Sequence, residues 1–245
     1  MPNPTAAMLT IGDEILSGRT LDTNTNHLAR TLAAIGIDLR EARAVPDVTE
    51  EIVAAVNALR SRYDHVFTSG GIGPTHDDIT ADAIAAAFGV GIGVRADARA
   101  ILATNYADPE RELNPARLRM ARIPDGATLI ENAVSKAPGF TIGNVHVMAG
   151  VPQVFVAMVG WLAPRLAAGA PVGSVSRIIR RPEGIIAGPL AELAAAHPAV
   201  AIGCYPFQDE QGFGASVVLR SADADALAAA KAGLAALVAG LGAPA

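Results

Sequence analysis

The sequence predicts an α/β domain centred on a mostly parallel sheet, followed by a smaller α+β domain. Over the first 168 residues, short apolar runs alternate with segments of helical periodicity, the order expected of parallel strands joined by right-handed crossovers. From Gly169 to Ser174 the composition changes to that of a linker. Residues 174–245 then read as strand, helix, strand, strand, helix, long enough for a two-layer α+β unit.

Ala6 to Ile11 is an apolar run bounded by Pro4 and Gly12, which suits a strand buried on both faces. Residues 12–18 read as a loop. Leu21, Leu28, Leu32 and Ile35 follow at helical spacing, with Thr20 or Asp22 as N-cap and Gly36 as the stop. Ile37 to Val45 is the second strand. Asp47 and Thr49 offer caps to a second helix carrying Ile52, Val53, Val56 and Leu59 on one stripe. His65 to Phe67 ends the third strand, and Ala81 to Phe88 continues as a helix. Val90 to Met120 reads as helical, interrupted at Asp108-Pro109 and Asn114-Pro115. Leu129-Ile130, Phe140–Ile142 and Val145–Met148 are short strands, with Gly143-Asn144 as a hairpin turn. A helix from Gln153 to Ala167 closes the domain, Trp161 packing in its core. In the second domain the strands are Val175–Arg181, Val200–Tyr205 and Gly214–Leu219, and the helices Ile185–Ala196 and Asp225–Leu241.

Half of the 245 residues are apolar (51%), 18% are charged and only 4% are aromatic, so the core is built mainly of Ala, Val, Leu and Ile. A net charge of −5 without a basic stripe argues against nucleic-acid binding. Arg177, Arg180 and Arg181 read as a local feature of one strand, and Arg111, Arg117, Arg119 and Arg122 as solvated or ion-paired. The one cysteine, Cys204, excludes an internal disulfide and a cysteine-based zinc site. With no N-terminal signal pattern and no run of eighteen apolar residues, a cytoplasmic address and no membrane association are expected.

The chemistry concentrates in the stretch 68–80, Thr-Ser-Gly-Gly-Ile-Gly-Pro-Thr-His-Asp-Asp-Ile-Thr. A strand, a glycine turn and a helix start make a place for an anion, because glycine permits close backbone approach and the first helical N–H groups lack partners. Gly70, Gly71 and Gly73 are free to take positive φ, Pro74 fixes the exit, and Thr80 is available as a cap. Asp77 and Asp78 would repel a phosphate unless a divalent cation lay between, so the loop reads as a phosphate-plus-metal site. It fits neither the P-loop nor the dinucleotide fingerprint. The bland reading is a glycine turn with an acidic helix start. Chain order adds a further point. The first three strands end at Gly12-Asp13-Glu14, at Pro46-Asp47 and at the glycine loop, so three acidic loops meet on the edge where such sheets bind ligands. Asp47 alone reads most simply as a helix cap.

These loops resemble the competence/damage-inducible protein A (CinA) N-terminal family, within the molybdopterin-biosynthesis MoaB/Mog fold. The matching stretches are 10–16 (Thr-Ile-Gly-Asp-Glu-Ile-Leu), 22–26 (Asp-Thr-Asn-Thr-Asn), 45–47 (Val-Pro-Asp), 69–80, 137–140 (Ala-Pro-Gly-Phe) and 150–152 (Gly-Val-Pro). Residues 182–184 and 202–207 fit the small domain that follows in the family. The resemblance implies a three-layer α/β/α domain over residues 1–168 and an α+β domain over 174–245. It also implies a small nucleotide or pterin ligand and a homo-oligomer. The activity it implies is metal-dependent hydrolysis of a nucleotide pyrophosphate of the ADP-ribose kind, with FAD hydrolysis in related domains. The alternative is a pterin- or nucleotide-binding protein without turnover.

By the same resemblance, Asp47 and Asp78 fall on the family's catalytic acidic pair and Gly70, Gly71 and Gly73 on its anion-binding loop; the acidic loops themselves make Asp13, Asp77 and Asp78 the candidate ligands of a divalent metal. Ligand contacts are expected from Gly12, Asp13, Ser69, Gly70, Gly71, Gly73, Pro74, Thr75, Thr80, Pro138 and Gly139. Three departures stand out. The sequence ends at Ala245 where full-length members continue into an amidohydrolase domain, so that activity is not expected. Ser135 and Lys136 precede Ala-Pro-Gly-Phe where glycine is usual, and Cys204 stands in place of a serine.

Overall fold

The computed structural model describes residues 3–210 and 212–241; the last four residues assigned to the second domain, 242–245, lie outside them. The chain divides into two compact units, Met1–Gly169 and Ala170–Ala245.

The first unit runs β1 Thr5–Ile11, α1 Asp13–Leu16, α2 Asn24–Ala34, β2 Asp38–Val45, α3 Thr49–Arg60, β3 His65–Ser69 and α4 Thr80–Phe88. It continues with β4 Ile92–Val94, α5 Ala96–Ala103, α6 Pro109–Glu112, α7 Pro115–Leu118, β5 Arg122–Pro124, β6 Thr128–Ile130, β7 Gly139–Ile142, β8 Val145–Met148 and α8 Pro152–Leu162. Six strands form one sheet in the order β2-β1-β3-β8-β7-β6. The pairs among β2, β1, β3 and β8 are parallel, and β7 and β6 are added antiparallel.

The period of two along β1 builds the layers. Ala7, Leu9 and Ile11 point into a core with Ile52, Val56 and Leu59 of α3, Ala83 and Ile84 of α4, and Ala98 of α5. Ala6 and Met8 point into the opposite core, with Leu28 and Leu32 of α2 and Val154, Phe155 and Met158 of α8. Helices therefore cover both faces, as near-continuous apolar strands require. Gly36 ends α2 at φ 72 and Gly143 turns the β7–β8 hairpin at φ 56. Trp161 is half-buried beside this core, with the Arg165 guanidinium 3.8 Å above its ring.

Three expectations need correction. The stretch 90–120 is not one interrupted helix, because Ile92–Val94 pairs antiparallel with Arg122–Pro124 as a small ribbon. Residues 13–16 form a helical turn, not loop. Leu21 lies before α2 and is 83% exposed, so the apolar stripe starts at Leu28.

The second unit runs β9 Gly173–Ile179, α9 Glu183–Ala196, β10 Ala201–Asp209, β11 Gly212–Ser221 and α10 Ala224–Gly240. Its antiparallel sheet has the order β10-β11-β9. Ile186, Leu190 and Leu193 of α9 and Ala230 and Leu234 of α10 share a core with Val217 and Leu219 of β11. Asp223 caps α10 by accepting from the amides of Asp225 and Ala226 at 3.0 and 2.9 Å. Arg180 pairs with Asp209 at 2.7 Å and Arg181 donates to the Leu241 carbonyl at 3.0 Å. Among the described residues, no helix is long and apolar enough to cross a membrane.

At the amino end of β3 and β8 lies a histidine pair, His146 buried and His65 half-buried. His146, 4% exposed, has Nε2 3.2 Å from His65 Nδ1 and Nδ1 2.9 Å from Thr141 Oγ1. Burial, and then the neighbouring His65, lower the His146 pKa from 6.5 to about 3, and burial lowers that of His65 too. The unfolded chain takes up a proton near neutral pH that the folded chain refuses. Stability is therefore complete above the unfolded value and falls with pH below it, by about 1.4 kcal/mol per pH unit for one proton. We expect His146→Gln to be less stable at neutral pH yet to show a shallower loss of stability on acidification. Urea unfolding across a pH series checks this, and equal slopes in the two proteins would reject it.

Candidate functional site

Strand order locates the site before any side chain is considered. From β1 the chain leaves through α2 on one face to reach β2, then returns through α3 on the other face to reach β3 on the far side of β1. The two crossovers part at the carboxyl ends of β1 and β3 and leave a crevice there, the usual ligand position in open α/β sheets.

Glycine is required at this point. Gly70 adopts φ 114, and a Cβ on it would stand 2.0 Å from the Ile11 carbonyl oxygen. Its N–H donates to the Met148 carbonyl at 3.1 Å, extending the β3–β8 ladder by one residue. Gly150, after β8, lies so close that its Cβ would be 3.2 Å from the Gly70 Cα. Gly71 adopts φ 67 over the Thr80 hydroxyl. Gly73 does not take positive φ; its small size makes room for the Asp78 carboxylate, 2.5 Å from where a Cβ would stand.

Above these glycines opens a cleft of about 340 Å³, lined by Glu14, Gly70, Gly71, Ile72, Gly73, Pro74, Asp78, Met120, Ser135, Ala137, Ala149, Gly150, Val151 and Val154. That volume lies near the lower end of small-molecule sites, about 300–1,000 Å³. Its floor is glycine backbone, one wall is apolar and another carries carboxylates. Asn132 shapes the Ser135 side: its Nδ2 donates to the Ala137 carbonyl at 2.6 Å, and its Oδ1 accepts from the Val134 and Ser135 amides at 3.0 and 2.8 Å. Lys136 in that loop is held at φ 59, a left-handed conformation that L-residues rarely adopt.

The acidic residues do gather at this edge, in roles that differ from the expected ones. Asp47 does not cap α3, whose N-cap is Val48. Its Oδ2 accepts instead from the Asp13 N–H at 3.1 Å, tying the β2 exit to the start of α1. Burial, and then the charges of Glu14, Asp13 and Asp77, push its carboxyl above the usual carboxylate range. Asp78 Oδ2 accepts from the Thr75 N–H at 2.8 Å and from the Thr75 hydroxyl. Hydrogen bonding from that hydroxyl also holds Asp77 below the usual range. Among the described residues no three Asp, Glu, His or Cys side chains converge as a ready metal cage, so Asp13, Asp77 and Asp78 do not form a closed ligand set.

Of the expected ligand contacts, Gly70, Gly71, Gly73 and Pro74 line the cleft. Asp13 and Thr75 are exposed on the flanking loops, while Gly12 is buried behind Glu14. Ser69, Thr80, Pro138 and Gly139 are buried supports. Thr80 is the first residue of α4 and not its cap; its N–H donates to the Gly71 carbonyl at 2.9 Å. Gly139 lets β7 lie on β8, where a Cβ would meet the Val147 carbonyl at 2.3 Å.

Sequence reading missed the apolar wall of Met120, Val151 and Val154, because isolated apolar residues carry no chemical signature. Arg122 forms a two-pronged pair with Asp82 at 2.6 Å, Arg117 lies 3.8 Å from Glu112, and Arg119 donates to the Asp78 carbonyl at 2.9 Å. In the second unit, Cys204 and Glu183 line a separate hollow of about 260 Å³ with Leu190 and Ile202. Burial, then Glu183, raises the pKa of that thiol.

Asp47 supplies a prediction about sign. A carboxyl raised by folding contributes stability that is complete below its unfolded pKa and lost as pH rises through the folded value. Asp47→Asn keeps an oxygen for the Asp13 N–H and removes the charge. We expect the variant to gain stability relative to the parent as pH rises from about 3.5 to about 6.5. Thermal melting at both pH values tests this, and a relative loss over that interval would show that the ionised Asp47 stabilises the fold.

Comparison with known proteins places both units. The family described as a probable molybdopterin binding domain matches residues 7–168, and the middle domain of FAD synthase matches residues 174–241. A protein of Aeropyrum pernix is 33% identical over 219 residues, covering 86% of this chain and 82% of that protein. A CinA-like protein of Desulfosudis oleivorans is 34% identical over 209 residues; these are 81% of this chain but 51% of that relative, so the chain spans about half its length. The crystal structure of CinA from Thermoplasma acidophilum superposes with a TM-score of 0.61 at 35% identity, covering 66% of this chain and 98% of that one.

Proposed function

The chain belongs to the CinA-like family, with a probable molybdopterin-binding domain of the MoaB/Mog fold, and from that premise we propose that its cleft hydrolyses a nucleotide pyrophosphate of the ADP-ribose kind with a divalent metal. One observation carries this reading. The glycine backbone at 70–73, suited to a phosphate, shares a cleft with the carboxylates of Glu14 and Asp78, and Asp47 nearby is raised by burial and then by the acids around it.

Magnesium is usually held by one or two carboxylates, with waters and substrate phosphates completing its shell, so a prebuilt cage is not required. Asp13, Asp77 and Asp78, on adjoining loops, suit that arrangement and would hold the cation. When bound, it supplies charge neutralisation and a water of lowered pKa. The chain's own residues do the rest. The Gly70–Gly73 turn offers backbone to the phosphates, and the apolar wall of Met120, Val151 and Val154 takes the less polar part of the ligand. Asp47, raised by burial and by its acidic neighbours, suits proton acceptance from an attacking water nearer neutral pH than an ordinary carboxylate.

A second reading is a pterin- or nucleotide-binding protein without turnover. It draws support from Asp78, whose carboxylate already accepts two hydrogen bonds within its own turn. Incubation with ADP-ribose and either magnesium or manganese, followed by chromatography for AMP, separates the two. We expect AMP from the parent protein, a loss of roughly a hundredfold or more in Asp78→Asn, and a milder loss in Asp47→Asn. ADP-ribose binding without AMP in the parent, or undiminished turnover in Asp78→Asn, would overturn the hydrolytic assignment.

A further inference from the structure

The floor of the cleft comes from two glycine turns far apart in sequence, and one buried side chain joins them from below. Asn24, at the start of α2, is 6% exposed. Its Nδ2 donates to the Ser69 hydroxyl at 2.8 Å and to the Gly150 carbonyl at 2.7 Å. Ser69 immediately precedes Gly70, and Gly150 packs on Gly70, so a single amide group holds both sides of the Gly70–Gly150 backbone contact.

The turn that presents Asn24 is itself fixed to β1. Asp22 accepts from the Thr25 N–H at 2.9 Å, from the Thr25 hydroxyl at 2.6 Å and from the Thr10 hydroxyl at 2.9 Å. Burial opposes the ionised form of Asp22, yet these hydrogen bonds outweigh it and hold the carboxyl below the usual range. Asn24 thus hangs from the strand that forms one side of the crevice and grips the two loops on the other. The residues lining the cleft do not include it.

We propose that Asn24 is a positioning residue that sets the spacing of the Gly70 and Gly150 turns, and through it the cleft's affinity for a phosphate-bearing ligand; this rests on the reading of the cleft as a ligand site. Asparagine suits the task because one planar NH₂ offers two donors in fixed directions. Aspartate has the same shape but no donor, and its oxygen would face the Gly150 carbonyl. Alanine would leave the two acceptors beside a hollow of about 50 Å³ whose lining includes Thr10, Asp22 and Ser69, large enough to admit water. The fold survives in that case, while the two turns lose their direct tie.

The test compares Asn24→Ala and Asn24→Asp with Asn144→Ala. Asn144 also makes two donations, part-buried, to the Arg60 and Tyr63 carbonyls at 3.0 and 2.8 Å, but at the opposite end of the strands, in the turn before β8. Amide hydrogen exchange at Gly70 and Ala149, with calorimetric titration of ADP-ribose, gives two independent readouts. We expect both amides to lose protection together in the Asn24 variants, and affinity to fall roughly tenfold to a hundredfold. Asn144→Ala should match their loss of melting temperature and leave both readouts unchanged. Unaltered exchange at Gly70 and Ala149 in the Asn24 variants, or the same changes in Asn144→Ala, would overturn the proposal. If the parent protein takes up no ADP-ribose, the ligand reading of the cleft fails, and the exchange data still decide whether Asn24 ties the turns.

Discussion

The site depends on the absence of a side chain at Gly70. The Ile11 carbonyl and the Gly150 backbone close on that residue from two sides, and no Cβ fits between them. Strands β1 and β3 are hydrogen-bonded neighbours, and so are β3 and β8. All three exits therefore crowd together where the sheet ends. A larger residue would have to push the exits apart, against strand pairing that is set along the whole length of the sheet. Glycine lets the exits meet, and the result is a cleft floored by backbone.

Much of this was legible in sequence. Alternating apolar runs and helical stripes announced the order of the larger elements, and glycines with a short acidic run marked the loop after β3. What escaped was decided by partners distant in sequence. Ile92–Val94 and Arg122–Pro124 are each three residues long, too short for alternation to register. Asp47 sits in the sequence position of a helix cap, but the extended Val48 carries the chain into α3, and the Asp13 amide on another loop claims its carboxylate. Thr80 has the chemistry of a cap and serves as packing under Gly71, a role set by the φ of a glycine nine positions earlier. Asn24 sits in a polar run where nothing local distinguishes it from its neighbour Asn26. Its importance comes from Ser69 and Gly150, which only the folded chain brings near.

The electrostatics follow from how these acids are distributed. Each is tied to a donor of its own: Asp47 to the Asp13 amide, Asp78 to Thr75, and Asp22 to Thr10 and Thr25. Separate anchoring explains how carboxylates from three strand ends share one edge without merging into a metal cage. Repulsion is still present, and it surfaces at Asp47, where burial and three neighbouring acids make ionisation harder.

A phosphate entering this edge adds more negative charge, and the nearby arginines are already committed. Arg122 is neutralised by two hydrogen bonds to Asp82, and Arg119 donates to the Asp78 carbonyl, which stabilises the turn and leaves the carboxylates as they are. Coulomb energy between like charges a few ångströms apart is several kcal/mol at the effective dielectric of a partly buried site, of order 20. That repulsion is comparable to the whole binding free energy of a millimolar ligand, about 4 kcal/mol. A phosphorylated guest at Gly70–Gly73 would be favoured by a compensating positive charge; in the proposed function a divalent cation arriving with the phosphate would provide it while reusing the carboxylates that otherwise repel the anion. On the proposed reading, the acids that repel a lone anion at this edge would make it selective for a metal–phosphate pair over either partner alone.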